Sequence, residues 1–160
     1  MIVQSVRYAL NTEVCSIYLL DERNSRYVLM ATHGLNPDAV GSVSLGLSEG
    51  LVGLVGQREE LINLEDAASH PRFHYLPETG EDRYSSFLGV PIMNRRKVLG
   101  VLVVQQQEKR RFGQSEEAFL VTLSAQISGV VAHARALGQL ENLHAPKGGV
   151  ASPRIFHGVA

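Results

Sequence analysis

The sequence lacks several features that would direct it to particular classes of protein. It has no tryptophan and a single cysteine, Cys15, so no disulfide can form within the chain, as is typical of a reducing compartment. No apolar run approaches the roughly 18 residues of a membrane-spanning helix, and no secretory leader is recognisable. The formal net charge of -1 gives no overall attraction to nucleic acid or anionic lipid. A cytoplasmic single domain is therefore expected.

The most informative stretch is a predicted hairpin in the second half of the chain. Two apolar runs, residues 87–93 and 98–104, flank a short polar segment and have the length and β-branched content of strands. Neither run alternates between apolar and polar residues, so both faces must be covered, which predicts a central position in a sheet with helices packed on it. Pro91 has no N–H for the ladder and is expected at a bulge or on an unpaired side.

Further elements follow from spacing. Ile2, Val6 and Leu10 recur every four residues and predict an N-terminal helix. Residues 14–20 and 27–32 predict two strands joined by a polar turn, and residues 43–45 and 61–64 predict two shorter strands. By the period of two, Tyr18 lies on the sheet face opposite to Cys15.

Two more helices are predicted, each with a hydroxyl residue as its N-terminal cap. Ser48 is expected to cap a short helix whose glycines, spaced by three, indicate close packing rather than a phosphate loop. Ser115 is expected to cap a long helix ending near Leu140. The apolar stripe of this long helix consists of Phe119, Leu123, Ile127, Val130, Ala134 and Leu137.

The segment from 65 to 85, here called the flap, is polar and shows no sustained period. Its aromatic residues Phe73, Tyr75 and Tyr84 predict that it packs against the domain, with one helical turn opening at Pro71. His70 and His74 have the spacing of a metal pair, but no third ligand is identifiable, so no metal or other cofactor is expected. Cys15 is interpreted as a small buried hydrophobic residue rather than a reactive thiol.

Several motifs together resemble a known family. FLGVPI, a basic turn and VLGVLVVQ, preceded by CSIYLLDE, ATHGLNPDAVG and LSEGLVGLVGQREELINLEDAASHPRF, are similar to GAF domains. Within them the chain looks like the N-terminal GAF domain of the nitrogen-regulatory phosphoenolpyruvate-protein phosphotransferases. The resemblance implies an α+β fold with a central antiparallel sheet and helices packed on both faces. It implies a domain over residues 1–143, with an N-terminal helix shorter than in the family. Residues 144–160 would be a linker toward phosphotransferase domains that this sequence lacks.

The resemblance also implies a function. Such a domain would sense a nitrogen-status metabolite, glutamine or 2-oxoglutarate, and control an attached phosphorelay without catalysing a reaction itself. It would form a homodimer through its terminal helices and would bind neither nucleic acid nor membrane. On physical grounds Arg83 can pair with a carboxylate through two hydrogen bonds. The other candidate ligand-binding residues are Tyr84, Ser86, Glu65 and Asp66 in or beside the flap and Tyr18 in the sheet.

Two alternatives stay open. One is a dimerisation or docking module without a ligand. It differs from a sensor because Phe73, Tyr75 and Phe87 would fill the space between sheet and flap, where a sensor needs a hollow. The other is a redox GAF enzyme such as a free methionine sulfoxide reductase. We disfavour it because this chemistry uses a nucleophilic cysteine with a resolving partner, and the chain has one cysteine.

Overall fold

The computed structural model describes residues 2–74, 77–79 and 84–138. Six strands form one antiparallel sheet in the order β3-β2-β1-β6-β5-β4. In chain order the elements are α1 (Ile2–Leu10), β1 (Val14–Asp21), β2 (Arg26–His33), β3 (Ser44–Gly46), α2 (Gly50–Arg58), β4 (Ile62–Leu64), β5 (Ser86–Asn94), β6 (Lys97–Gln106) and α3 (Gln114–Ala136). Two single 3-10 turns, Pro37–Ala39 and Ala67–Ser69, lie in the loops. The predicted α+β class is confirmed.

The predicted hairpin is formed by β5 and β6. Its loop consists of Arg95 and Arg96, and the flanking residues Asn94 and Lys97 pair with each other. β6 lies between β1 and β5, which confirms the central position expected from its continuous apolar run. Pro91 lies beyond the part of β5 that pairs with β4 and next to a register shift, as expected for a residue without a backbone donor.

Helices cover the sheet on both faces, and each face has its own core. On the α1/α3 face, Cys15, Ile17 and Leu19 of β1 pack with residues of both terminal helices. On the α2 face, Tyr18 packs with α2 residues such as Val55. The alternation predicted along β1 is therefore confirmed, and Ala67 and Phe73 of the flap pack with the core of the α2 face.

The predicted stripe of α3 is only partly buried. Ile127 and Ala134 face the sheet, but Phe119 and Leu137 are 41% and 60% exposed. Ser124 takes a buried position instead, because its hydroxyl donates to the Val121 carbonyl of the same helix and needs no other partner. The full buried face of α3 consists of Leu120, Ser124, Ile127, Ser128, Val131 and Ala134.

The ends of α3 also differ from the prediction. Gly113, not Ser115, precedes the first turn, and the Glu116 carboxylate accepts the Gly113 N–H at 2.9 Å. The helix ends at Ala136 because Gly138 adopts a left-handed conformation with φ 74. The predicted linker, 144–160, lies outside the described residues. By length and composition α3 could cross a membrane, yet it packs on β5 and β6 as a core helix does.

The helix after β3 begins later than predicted. Glu49 rather than Ser48 precedes α2, and its side chain makes no capping hydrogen bond. The close packing expected of the glycines is confirmed, because a Cβ on Gly56 would lie 1.9 Å from the Tyr27 hydroxyl. On Gly53 it would lie 2.8 Å from the Ser48 carbonyl carbon. Glycine at these positions lets α2 approach the sheet and the preceding loop closely.

Candidate functional site

Several buried polar side chains interrupt the largely apolar α2 face of the sheet, among them three on β1 and β6. Ser16 and Tyr18 of β1 and Gln105 of β6 are 0%, 2% and 2% exposed. The Ser16 and Thr32 hydroxyl oxygens are 2.8 Å apart and share a hydrogen bond across β1 and β2. Burial of polar groups is unfavourable unless they find partners, so a group of them marks a specific site. We call Ser16, Tyr18 and Gln105 the polar floor.

The described parts of the flap are anchored near this floor. Tyr84 is buried against Val14 and Leu35, and its hydroxyl donates to the Gly34 carbonyl at 3.3 Å. Thr79 is buried as well, and its carbonyl accepts the Asn36 N–H at 3.2 Å. The prediction that aromatic residues pack the flap on the domain is confirmed for Tyr84, while Tyr75 lies outside the described residues.

Two aromatic side chains pack into the α2-face core beside the floor. Phe87 is 3% exposed, and Phe73 packs against the same core. A Cβ on Gly89 would lie 2.8 Å from the Phe87 ring and 3.0 Å from Val55 of α2, so glycine is needed for this packing. Two of the three side chains expected to fill a ligand-free interior thus pack there.

The candidate ligand residues do not form one cluster. Glu65 and Asp66 line an open cleft of about 560 Å³ beside β4, which Asn63, His70 and Arg111 also line. Ser86 lies on the α1/α3 face, two residues before Leu88 in β5. Its hydroxyl lies within hydrogen-bond reach of the Glu108 and Arg110 carbonyls, to one of which it donates, and it accepts the Arg110 N–H. Arg83 lies outside the described residues.

The histidines and the helical turn of the flap are arranged differently from the prediction. In place of the predicted helical turn, Pro71 and Arg72 form a single hydrogen-bonded turn in which the His70 carbonyl accepts the Phe73 N–H at 3.0 Å, while the 3-10 turn lies earlier, at Ala67–Ser69. The His70 Nδ1 accepts the Arg72 N–H, and the His74 Nε2 lies 3.6 Å from the Glu49 carboxylate. Within the described ranges, no three His, Cys, Asp or Glu side chains are grouped to hold a metal ion.

Asn63 ties β4 to the start of α3, a role that the sequence analysis missed. Its amide Nδ2 donates to the Phe112 carbonyl at 2.8 Å and to the Glu117 carboxylate at 2.9 Å. Its Oδ1 accepts the Phe112 N–H at 3.1 Å. This role could have been predicted from the position of Asn63, because a polar side chain in the middle of a short, buried strand needs hydrogen-bond partners.

A second polar contact holds the same helix end. Arg110 donates two hydrogen bonds of 2.8 Å to Glu116, and this guanidinium contact lowers the pKa of the Glu116 carboxyl. Residues 107–113, the connector between β6 and α3, are therefore fixed by Asn63, Ser86 and Glu116. Ser86 serves this connector rather than the polar floor.

Cys15 lies in the core and has no access to a substrate. Its side chain is 0% exposed on the α1/α3 face, and burial raises the pKa of the thiol far above its usual range. The thiolate, which is the nucleophilic form, is therefore suppressed. This geometry disfavours thiol chemistry at Cys15.

Comparison with known proteins assigns the family. The GAF domain model matches residues 1–131. The crystal structure of the GAF domain from an Acinetobacter phosphoenolpyruvate-protein phosphotransferase is 60% identical, covers 87% of this chain and 82% of that chain, and has a TM-score of 0.79. The chain belongs to the GAF domain family. A GAF domain from a phosphoenolpyruvate-protein phosphotransferase of Coxiella burnetii is 48% identical, with 87% and 83% coverage and a TM-score of 0.83.

The chain spans only 18% of the length of two curated relatives that it matches. It is 49% identical over 135 residues to the "Phosphoenolpyruvate-dependent phosphotransferase system" protein of Escherichia coli strain K12. This alignment covers 84% of the chain but 18% of that protein. The resemblance to GAF domains of phosphoenolpyruvate-protein phosphotransferases is thus confirmed, while the activity of the longer proteins is not carried over by the alignment.

Proposed function

We propose that this GAF domain is a regulatory sensor that binds glutamine or 2-oxoglutarate between the α2 face and the flap and controls an attached phosphotransferase. The observation that carries the proposal is the polar floor. It places a buried amide, Gln105, and a buried phenol, Tyr18, in an otherwise largely apolar wall. Pockets for small molecules combine an apolar lining with a few such polar groups. The domain would act in the cytoplasm and would catalyse no reaction itself.

Arg83 remains the proposed partner for the ligand's carboxylate, because a guanidinium binds a carboxylate through two parallel hydrogen bonds. Asp66, Tyr84 and Ser86 have structural contacts of their own, whereas Glu65 is exposed. Of these, Glu65 and Asp66 remain ligand candidates through the open cleft beside β4. Tyr84 and Ser86 would act on binding by positioning the flap and the connector.

Addition of the correct metabolite is expected to raise the melting temperature, because a ligand that binds only the native state stabilises it. At about 100 times the dissociation constant, the shift should be roughly 5 to 10 °C. The measurement is a thermal-shift titration with glutamine and with 2-oxoglutarate. Arg83→Ala and Tyr18→Phe should reduce the shift, whereas Arg58→Ala, at an exposed position on α2, should not. No shift with either compound at millimolar concentration contradicts the sensor proposal.

A second candidate function, dimerisation, rests on a different surface. An apolar groove of about 350 Å³ runs between α1 and α3 and is lined by residues such as Val6, Leu123 and Val130. Phe119 and Val130 are 41% and 37% exposed beside it, although both are apolar. Such a contiguous apolar surface is typical of an association site. We infer that a second copy of the chain packs its terminal helices here, in accordance with the expected homodimer.

A charge placed in this groove is expected to produce a monomer. Val130→Glu would bury a carboxylate in the contact between copies, which is strongly unfavourable without a partner. Sedimentation equilibrium should then give the monomer mass, while the wild type gives the dimer mass. Ala125→Glu is the matched control, because residue 125 is exposed on α3 and does not line the groove. A wild type that is already monomeric at micromolar concentration contradicts this function.

A further inference from the structure

One end of the sheet carries four exposed cations. Arg23 lies in the turn between β1 and β2, Arg95 and Arg96 form the turn between β5 and β6, and Lys97 follows. Since β1 and β6 are antiparallel neighbours, both turns lie at the same end of the sheet. Their centres are two strand spacings, about 10 Å, apart. We call these four residues the cationic edge.

These cations differ from the basic residues at the other end of the sheet. There, Lys109 pairs with Asp66 at 3.3 Å, Arg110 pairs with Glu116, and Arg111 donates to the Asn63 carbonyl at 3.3 Å. Within the described part of the chain, the cationic edge has no ion pair and no side-chain hydrogen bond. Its accumulation of charge is also not a consequence of a basic composition, since the formal net charge is -1.

The acidic residues near this edge are engaged elsewhere. The Asp21 carboxylate accepts hydrogen bonds from the Asn24 N–H and from its side-chain amide. Glu22 pairs with Arg135 of α3 at 3.4 Å. Among the described residues, neither carboxylate forms an ion pair with a cation of the edge, and all four cations are exposed.

The backbone of the β5–β6 turn makes the presence of two arginines unusual. Arg95 and Arg96 have φ angles of 50 and 65, which places both in the left-handed region. Two-residue turns of this kind favour Asn-Gly, because in this conformation the Cβ of other residues lies too close to the following carbonyl oxygen. Residues in sparsely populated backbone regions cluster at functional sites. The turn thus keeps two guanidinium groups where another pair would fold better.

We propose that the cationic edge is a docking surface for a carboxylate-rich face of a protein. Guanidinium groups pair with carboxylates through two hydrogen bonds, and the tight turn places two exposed arginines at one end of the hairpin. Arg135 also donates to the Leu20 carbonyl, so the end of α3 lies beside this edge. A domain that follows α3, as in longer relatives, would have its surface within reach of the edge.

Nucleic acid fits this edge less well. Neither turn contains an aromatic residue on which a base could stack. Four cations are also fewer than the six to ten phosphate contacts, roughly, of a typical nucleic-acid interface. The remainder of the molecule adds no positive field.

The test combines charge removal with relief of strain. In the double variant Arg95→Asn, Arg96→Gly, the turn receives its preferred residues and loses two charges. The melting temperature should rise by about 3 °C, while binding at the edge should fall at least fivefold. Binding is followed by amide chemical-shift changes during titration with poly-L-glutamate and, separately, with a single-stranded oligonucleotide of equal charge. Arg58→Gln, which removes one exposed charge elsewhere, is the control.

Each outcome decides the proposal. Shifts confined to residues 22–25 and 94–97, caused by poly-L-glutamate more than by the oligonucleotide and lost in the double variant, support it. Equal or stronger binding of the oligonucleotide overturns the choice of partner. Shifts spread over the surface, or none, overturn the docking site. An unchanged or lower melting temperature of the double variant would show that the two arginines do not strain the turn.

Discussion

Gly100→Ala is expected to destabilise the domain by about 3 kcal/mol or more, the upper range for inserting atoms into a packed interior. Gly100 lies in β6, between Leu19 of β1 and Ile92 of β5. A Cβ on Gly100 would lie 2.2 Å from the Tyr18 carbonyl oxygen. This oxygen belongs to the backbone of a central strand, so relief of the clash requires β1 and β6 to move apart. Thermal unfolding should show a melting temperature lower by roughly 6 to 12 °C.

Gly129→Ala is the matched control, and its effect should have the opposite sign. Gly129 lies within α3, is exposed, and a Cβ there would meet nothing within 4 Å. Alanine in a helix interior is favoured over glycine by about 0.5 to 1 kcal/mol. The same substitution should therefore stabilise the domain at residue 129 and disrupt it at residue 100. Equal melting temperatures for the two variants would contradict the packing described for β6.

The strands could be predicted because their signals are local. Continuous apolar runs correctly predicted that β1 and β6 are buried. The short polar segment between β5 and β6 correctly predicted the hairpin. The buried face of α3 was less predictable. Apolar residues follow two adjacent faces of this helix, and one of them, which includes Phe119, faces the groove beside α1. Sequence periodicity alone does not say which of two apolar faces meets the sheet.

The candidate site was harder to predict because its members are brought together by pairing between strands. Gln105 belongs to the polar floor through its register opposite Val14, which only the β1–β6 pairing establishes. Ser86 is next to the flap in sequence, yet the pleat of β5 directs it to the other sheet face. Proximity in sequence to a polar loop therefore indicated the region but not the face.

Asn63→Ala is expected to cost about 3 kcal/mol, because it removes three hydrogen bonds and leaves buried backbone groups unpaired. Asn63 is 7% exposed, and Phe112, whose N–H and carbonyl it binds, is 2% exposed. Water cannot easily replace the lost partners at this depth. Urea unfolding should show a lower midpoint, and hydrogen exchange at the Phe112 and Gly113 amides should accelerate more than exchange in β1.

Substitution of Glu117 distinguishes the stability that comes from the hydrogen bonds of Asn63 to the Phe112 backbone from the stability that comes from its bond to the Glu117 side chain. Glu117→Ala removes one hydrogen bond to a charged group at a half-buried position and should cost about 1.5 kcal/mol, half the cost expected for Asn63→Ala. In the Asn63→Ala background it should have no further effect, since its partner is already gone. If Glu117→Ala instead costs as much as Asn63→Ala, the stability comes from the side-chain pair. The hydrogen bonds between Asn63 of β4 and the Phe112 backbone would then contribute little to the free energy of unfolding.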